Sequence, residues 1–221
     1  MKSQKCISCV SNCIKAAGFS KKGSSFYKRE KDITYFVVFE SPSGTVYCTY
    51  CVMPIYMPFQ CITFTYGERM KTRFYAKREA PSDEEMANYR NEYIREFTEN
   101  VIPYFSWVSE RFKNKFSPGC TLSTAYQNWG CTGVELLRLM SYSYVYHKNI
   151  RIAKKTINEY LLQLNTPGKC GMPYTEECKQ KFISEATELL GLTYKSPDDI
   201  TVYFEDIIRQ NEKMLGISLQ R

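Results

Sequence analysis

Histidine is almost missing from this chain: His147 is the only one. Cys–His catalysis would have to pass through that single side chain, and an H-E-x-x-H metal site is excluded. Aspartate is scarce as well, with only Asp32, Asp83, Asp198, Asp199 and Asp206. A metal-dependent nuclease or phosphatase brings several acids together, and no local motif here does so. Neither a Gly-rich phosphate loop nor G-x-S-x-G occurs. No stretch approaches the ~18 consecutive apolar residues of a membrane span. The start, "MKSQKCISCVSNCIKAAGF", lacks the continuous apolar core of a signal peptide and reads as a first helix. The expectation is a cytoplasmic protein with no membrane partner.

Cysteine, by contrast, is plentiful, with ten residues. In a reducing compartment these are thiols rather than disulfides. Cys6-x-x-Cys9 and Cys48-x-x-Cys51 have the spacing of a zinc site. The first pair falls in a helical pattern, however, and the second in a strand pattern, where positions three apart point to opposite faces. Neither carries the Gly or Pro of a zinc knuckle. Cysteine is also a good small core residue, so we expect reduced core thiols, no metal and no cofactor.

The net charge of +7 is unevenly placed. Residues 1–31 contain eight Lys and Arg and one acid, Glu30, while the remaining residues hold 22 charges of each sign. The protein is therefore neutral apart from a basic N-terminal corner.

Periodicity divides the 221 residues into a strand-bearing first half and a helical second half. Cys6, Cys9, Val10, Cys13, Ile14 and Ala17 share one helical face, and Gly18 stands where a helix-ending glycine belongs. Strand patterns follow at 25–29, 33–40, 45–53, 61–66 and 72–76, with a Pro–Gly turn in "SPSG" (41–44). Ser82 and Glu85 form a capping box for a helix striped by Met86, Tyr89, Tyr93, Phe97 and Val101, which Pro103 should end or bend. Thr132 and Glu135 suggest a second capping box, before a helix that is apolar around much of its circumference. Helices striped by Ala153–Leu164 and Cys178–Leu190 come next. A last helix starts at Ser196-Pro197 and ends at Gly216. Strands segregated from helices predict an α+β fold: an N-terminal helix, a four- to five-stranded antiparallel meander and about five helices. The expected division is an α+β part at 1–110 and a helical extension at 111–221, packed as one unit with it.

A first helix followed by "IKAAGFSKKGSSFYKRE" and two apolar strands resembles the family named domain of unknown function 4304 (DUF4304). Gly18, Phe19, Lys21, Lys22, Gly23 and Phe26 carry most of the likeness, and "ENVIPYFSWVSE" (99–110) adds to it. The likeness covers roughly residues 1–110. The strands after "SPSG" depart from the family's pattern. The resemblance implies a fold and no activity.

Two segments are candidate sites. Lys21, Lys22, Lys28 and Arg29, with Tyr27 and Phe26, offer cations for phosphate and rings for stacking, the chemistry of a nucleic-acid contact. The same lysines have a simpler use, since charge keeps a short edge strand from pairing with other chains. Alternation puts Phe26 and Lys28 on one face and Tyr27 and Arg29 on the other, so one ring belongs to the core. The loop "FSPGCTLSTAYQNWGCTG" (116–133) places Tyr126, Gln127, Asn128 and Trp129 ahead of a helix N-terminus, as the rim of a small-molecule pocket would. The favoured reading is a non-catalytic binding or accessory protein with a protein partner. Its alternatives are a nucleic-acid-associated protein and an enzyme or small-molecule binder built on the 116–133 loop.

Overall fold

A computed structural model describes residues 2–59, 67–75, 81–107, 133–166 and 175–216. The fold is α+β. Helix α1 (Lys2–Ala16) leads into an antiparallel sheet of β1 (Ser20–Lys22), β2 (Ser25–Glu30), β3 (Ile33–Glu40), β4 (Thr45–Pro54), β5 (Gly67–Arg69) and β6 (Phe74–Tyr75). Helices α2 (Asp83–Glu96), α3 (Gly133–Tyr146), α4 (Ile150–Asn165), α5 (Glu176–Leu192) and α6 (Pro197–Leu215) follow. Among the described residues no helix is long and apolar enough to cross a membrane. Two compact units share the chain: one holds residues 1–54 and 62–114, the other 55–61 and 115–221.

In the first unit the elements follow from local chemistry. Helix α1 closes as a Schellman motif, with Phe19 N–H on the Ile14 carbonyl (3.4 Å), Gly18 N–H on the Lys15 carbonyl (2.9 Å) and Gly18 at φ 89°. Strands run in the order β1-β2-β3-β4-β5, and β6 pairs with the start of β4. Both faces of β3 and β4 are buried, as their doubly apolar sequences require. A 3₁₀ turn, Pro42–Gly44, joins them. Expected strand 61–66 lies outside the described residues, whereas the described part of 72–76 holds β6 and starts two residues later than expected.

Gly67 on β5 has no room for a side chain. A Cβ there would fall on the Tyr50 carbonyl oxygen and 2.5 Å from Cys51 Cα. Gly67→Ala is expected to cost about 2–3 kcal/mol by forcing β5 off β4, read as a lowered urea midpoint. An unchanged midpoint would contradict this close approach.

Helix α2 begins with the expected capping box: Glu85 N–H donates to Ser82 Oγ, and Ser82 N–H to the Glu85 carboxylate. It does not stop near Pro103. A π-helical turn spans Phe97–Val101, and helix resumes over 102–107. Tyr89, Tyr93, Phe97, Val101 and Phe105 are all buried, each four residues from the last. On an α-helix that spacing drifts by about 40° per step, or about 160° from Tyr89 to Phe105. In the π turn Ile102 N–H reaches back five residues to the Phe97 carbonyl, which takes up the drift. The wider turn also accommodates Pro103, which has no N–H to give. The reward is a continuous aromatic core: Tyr93 stacks on Phe97 (5.9 Å) and Phe39 (5.8 Å), and Phe105 meets Tyr35 (4.9 Å) and Phe19 (5.7 Å). At the end of α2, the Glu96 carboxylate accepts from the N–H groups of Lys71 and Thr72, both at 2.7 Å, and fastens the chain between β5 and β6.

The helical unit is built around α3, most of whose residues are buried. Thr132 lies outside the described residues, so its expected capping box is not described. Arg138 of α3 and Glu185 of α5 form a buried ion pair at 2.9 Å. Helix α6 starts with Ser196 and Asp199 as a capping box, carries Pro197 at its first turn and stops at left-handed Gly216, as its sequence predicts.

Candidate interaction surface

The basic corner is a hairpin. Lys22 pairs with Ser25 across the two-residue turn Gly23–Ser24, and Gly23 takes the positive φ (59°) that glycine tolerates. Sequence reading places the edge at 25–29, but the edge strand is β1, while β2 lies inside between β1 and β3. Strand β1 escapes sequence reading because all three of its residues are exposed and show no alternation.

The register makes this edge a poor template. In a two-residue hairpin the closing pair, Lys22 and Ser25, exchanges hydrogen bonds, and so does the pair two positions on, Ser20 and Tyr27. Lys21 is thus the single residue of β1 whose backbone N–H and C=O face off the sheet. A lysine at the one open rung, with a second lysine beside it, is what edge protection requires.

The side chains divide as alternation predicts. Phe26 is wholly buried, and its ring carries the Lys21 ammonium at 5.7 Å. Lys28 runs over Gly18 and pairs with Glu30 at 3.0 Å. Arg29 Nε donates to the Lys31 carbonyl at 3.0 Å. Tyr27, Lys28 and Arg29 are half-buried, whereas Lys21, Lys22, Lys31 and, at the end of α1, Lys15 are exposed. Lys15 and Lys31 are members that sequence reading did not single out. Their place in the 1–31 charge cluster was the available signal.

The Cys6–Cys9 and Cys48–Cys51 pairs lie in α1 and β4. Cys48 is buried beside the Tyr93 hydroxyl (3.5 Å), and burial pushes its thiol up to about 12. Burial raises Cys51 still further, and Cys6 to about 11. Cys9 donates to the Cys6 carbonyl (3.0 Å), and burial raises both it and Cys13. These thiols stay protonated at neutral pH, the opposite of an activated nucleophile. Among the described residues no three His, Cys, Asp or Glu side chains converge on a metal position. His147 is exposed at the end of α3, with ring contacts to Tyr146 (5.0 Å) and Tyr56 (6.2 Å). Asp199 completes the capping box of α6, and hydrogen bonds to its carboxylate from the Ser196 hydroxyl and N–H lower its pKa. Asp206 pairs with Arg209 (2.9 Å). Tyr126, Gln127, Asn128 and Trp129 lie outside the described residues.

No known protein family, curated protein or solved structure matches this chain.

Proposed function

We propose that this protein acts without catalysis, by binding a protein partner, and that the α1–β1–β2 surface meets an acidic face of that partner. One observation carries the reading: residues 1–31 hold the whole net charge of +7, and the exposed members of that cluster about the hairpin, Lys15, Lys21, Lys22 and Lys31, are all lysines. Clustered charge of one sign steers association with the opposite sign and suppresses wrong partners. A single-stranded nucleic acid is the weaker fit, because it wants aromatic platforms for its bases. Phe26 is spent in the core and Tyr27 is half-buried. The thiols and phenols with perturbed pKa values are moved by burial toward their neutral forms, which suits packing and not proton transfer.

Fluorescence anisotropy of a labelled Glu/Asp-rich peptide and of an oligo-dT strand, each titrated with the full chain at low and physiological salt, tests this. The peptide should bind and the strand should not. Lys21→Glu/Lys22→Glu should weaken the peptide about tenfold or more. Tight, steeply salt-dependent oligo-dT binding, or peptide binding indifferent to the charge reversal, would overturn it.

A further inference from the structure

Among the described residues the sheet ends at β1, with no strand paired to its outer edge. The open rung there is Lys21, whose backbone N–H and C=O face off the sheet. The neighbouring strands keep the same phase. Phe39 of β3 donates to the Ser24 carbonyl at 3.1 Å, so the main chain turns toward β3 at Ser24 and Phe26 and toward β1 at Ser25 and Tyr27. Lys21 stands opposite Phe26 and holds its ammonium 5.7 Å from that ring. All three residues of β1 are exposed.

A lysine at an open rung discriminates between strands. A neutral strand laid beside it crowds the ammonium and gives it no partner, and a basic strand repels it. A strand with an acid directly across from the lysine pairs it. The charge that protects this edge from most chains therefore selects by sign.

We propose that an acidic partner docks on β1 by strand addition. An extended segment lies antiparallel to β1, exchanges both main-chain hydrogen bonds with Lys21, and sets a Glu or Asp across from the Lys21 ammonium. This rests on the reading of the α1–β1–β2 surface as the contact for an acidic protein face, and adds how that partner is held. The +7 of residues 1–31 draws the segment in but gives it no direction. The rung fixes direction and register.

Labelled decapeptides alternating Glu and Val, titrated with the full chain and followed by anisotropy, separate the two claims. One version has every glutamate N-methylated and another every valine, so charge, length and methyl count are equal. With an acid facing Lys21, the glutamate N–H groups point at β1 and the valine N–H groups point away. The valine-methylated peptide should bind like the unmethylated one, and the glutamate-methylated one about tenfold more weakly, since it loses the rung. Lys21→Pro removes an N–H that the sheet does not use, whereas Lys21→Ala removes the charge alone. The proline variant should bind the unmethylated peptide about fivefold more weakly than the alanine variant. If Lys21→Pro does not fold, the methylated peptides decide alone. Equal binding of the two methylated peptides, or a greater loss from methylated valine, would refute strand addition and leave the charge reading standing. Failure of all three peptides to bind would remove both.

Discussion

Asn211→Ala is expected to destabilise the helical unit by about 3–5 kcal/mol. Asn211 of α6 donates through Nδ2 to the carbonyls of Ile55 and Met57, both at 2.7 Å, and its Oδ1 accepts from the Phe59 N–H at 3.0 Å. The substitution leaves these two carbonyls and one N–H buried without partners, and each such group costs about 1–3 kcal/mol, with overlap between neighbours. The asparagine is 2% exposed, so water does not replace it cheaply. Urea unfolding followed by helical circular dichroism should show a large fall in midpoint with little change in slope. Asn211→Asp separates the hydrogen bonds from the volume. It keeps the acceptor for Phe59 but sets a carboxylate against the Ile55 and Met57 carbonyls. That carboxyl would have a folded-state pKa above its unfolded value. Stability would then be retained below the ordinary aspartate pKa and lost as pH rises through the raised value. A neutral-pH loss that acid does not relieve would contradict the assigned geometry.

Arg138→Ala is expected to cost a similar amount, about 3–5 kcal/mol, because it strands a carboxylate in the interior. Arg138 and Glu185 are 5% and 8% exposed, and Glu185 Oε1 has no hydrogen-bond partner among the described residues. The guanidinium also lies near the rings of Phe182 (5.1 Å) and Tyr142 (5.6 Å), so truncation removes packing as well as charge. The double substitution Arg138→Met/Glu185→Leu tells these losses apart. It should come within about 1–2 kcal/mol of the wild type, or exceed it, since an apolar pair need not offset desolvation. A cycle in which the double variant is as unstable as the sum of the singles would mean that the ion pair is not the source of the effect.

What could be read from the sequence was local. Gly18, the Ser82–Glu85 box and the Ser196-Pro197 start each act over four or five residues, and each stands where expected. Strands β3 and β4 were legible because both faces are apolar. Alternation also showed that one ring of "SFYKR" is core, and Phe26 is that ring. What escaped depends on distant partners or on the absence of pattern. An asparagine in the last helix carries no mark of its role, because its partners are backbone atoms of a segment in the first third of the chain. Strand β1 has three exposed residues and becomes a strand only because the turn at Gly23 folds it against β2. Arg138 and Glu185 lie 47 residues apart, and only the packing of α3 and α5 makes them a pair.

The π turn at Phe97–Val101 bears on how this chain tolerates gain and loss of residues. A bond reaching five residues back encloses one residue more than an α turn, so the helix from Asp83 to 107 is an α-helix carrying a single-residue insertion. Removing one residue anywhere else along it would rotate all that follows by about 100° and swing Phe105 out of register with Tyr35. Removing one within 98–100 would only restore the ordinary pitch. The helix is thus indifferent to a deletion at the one place where it already departs from regularity, and intolerant of one wherever it looks most regular.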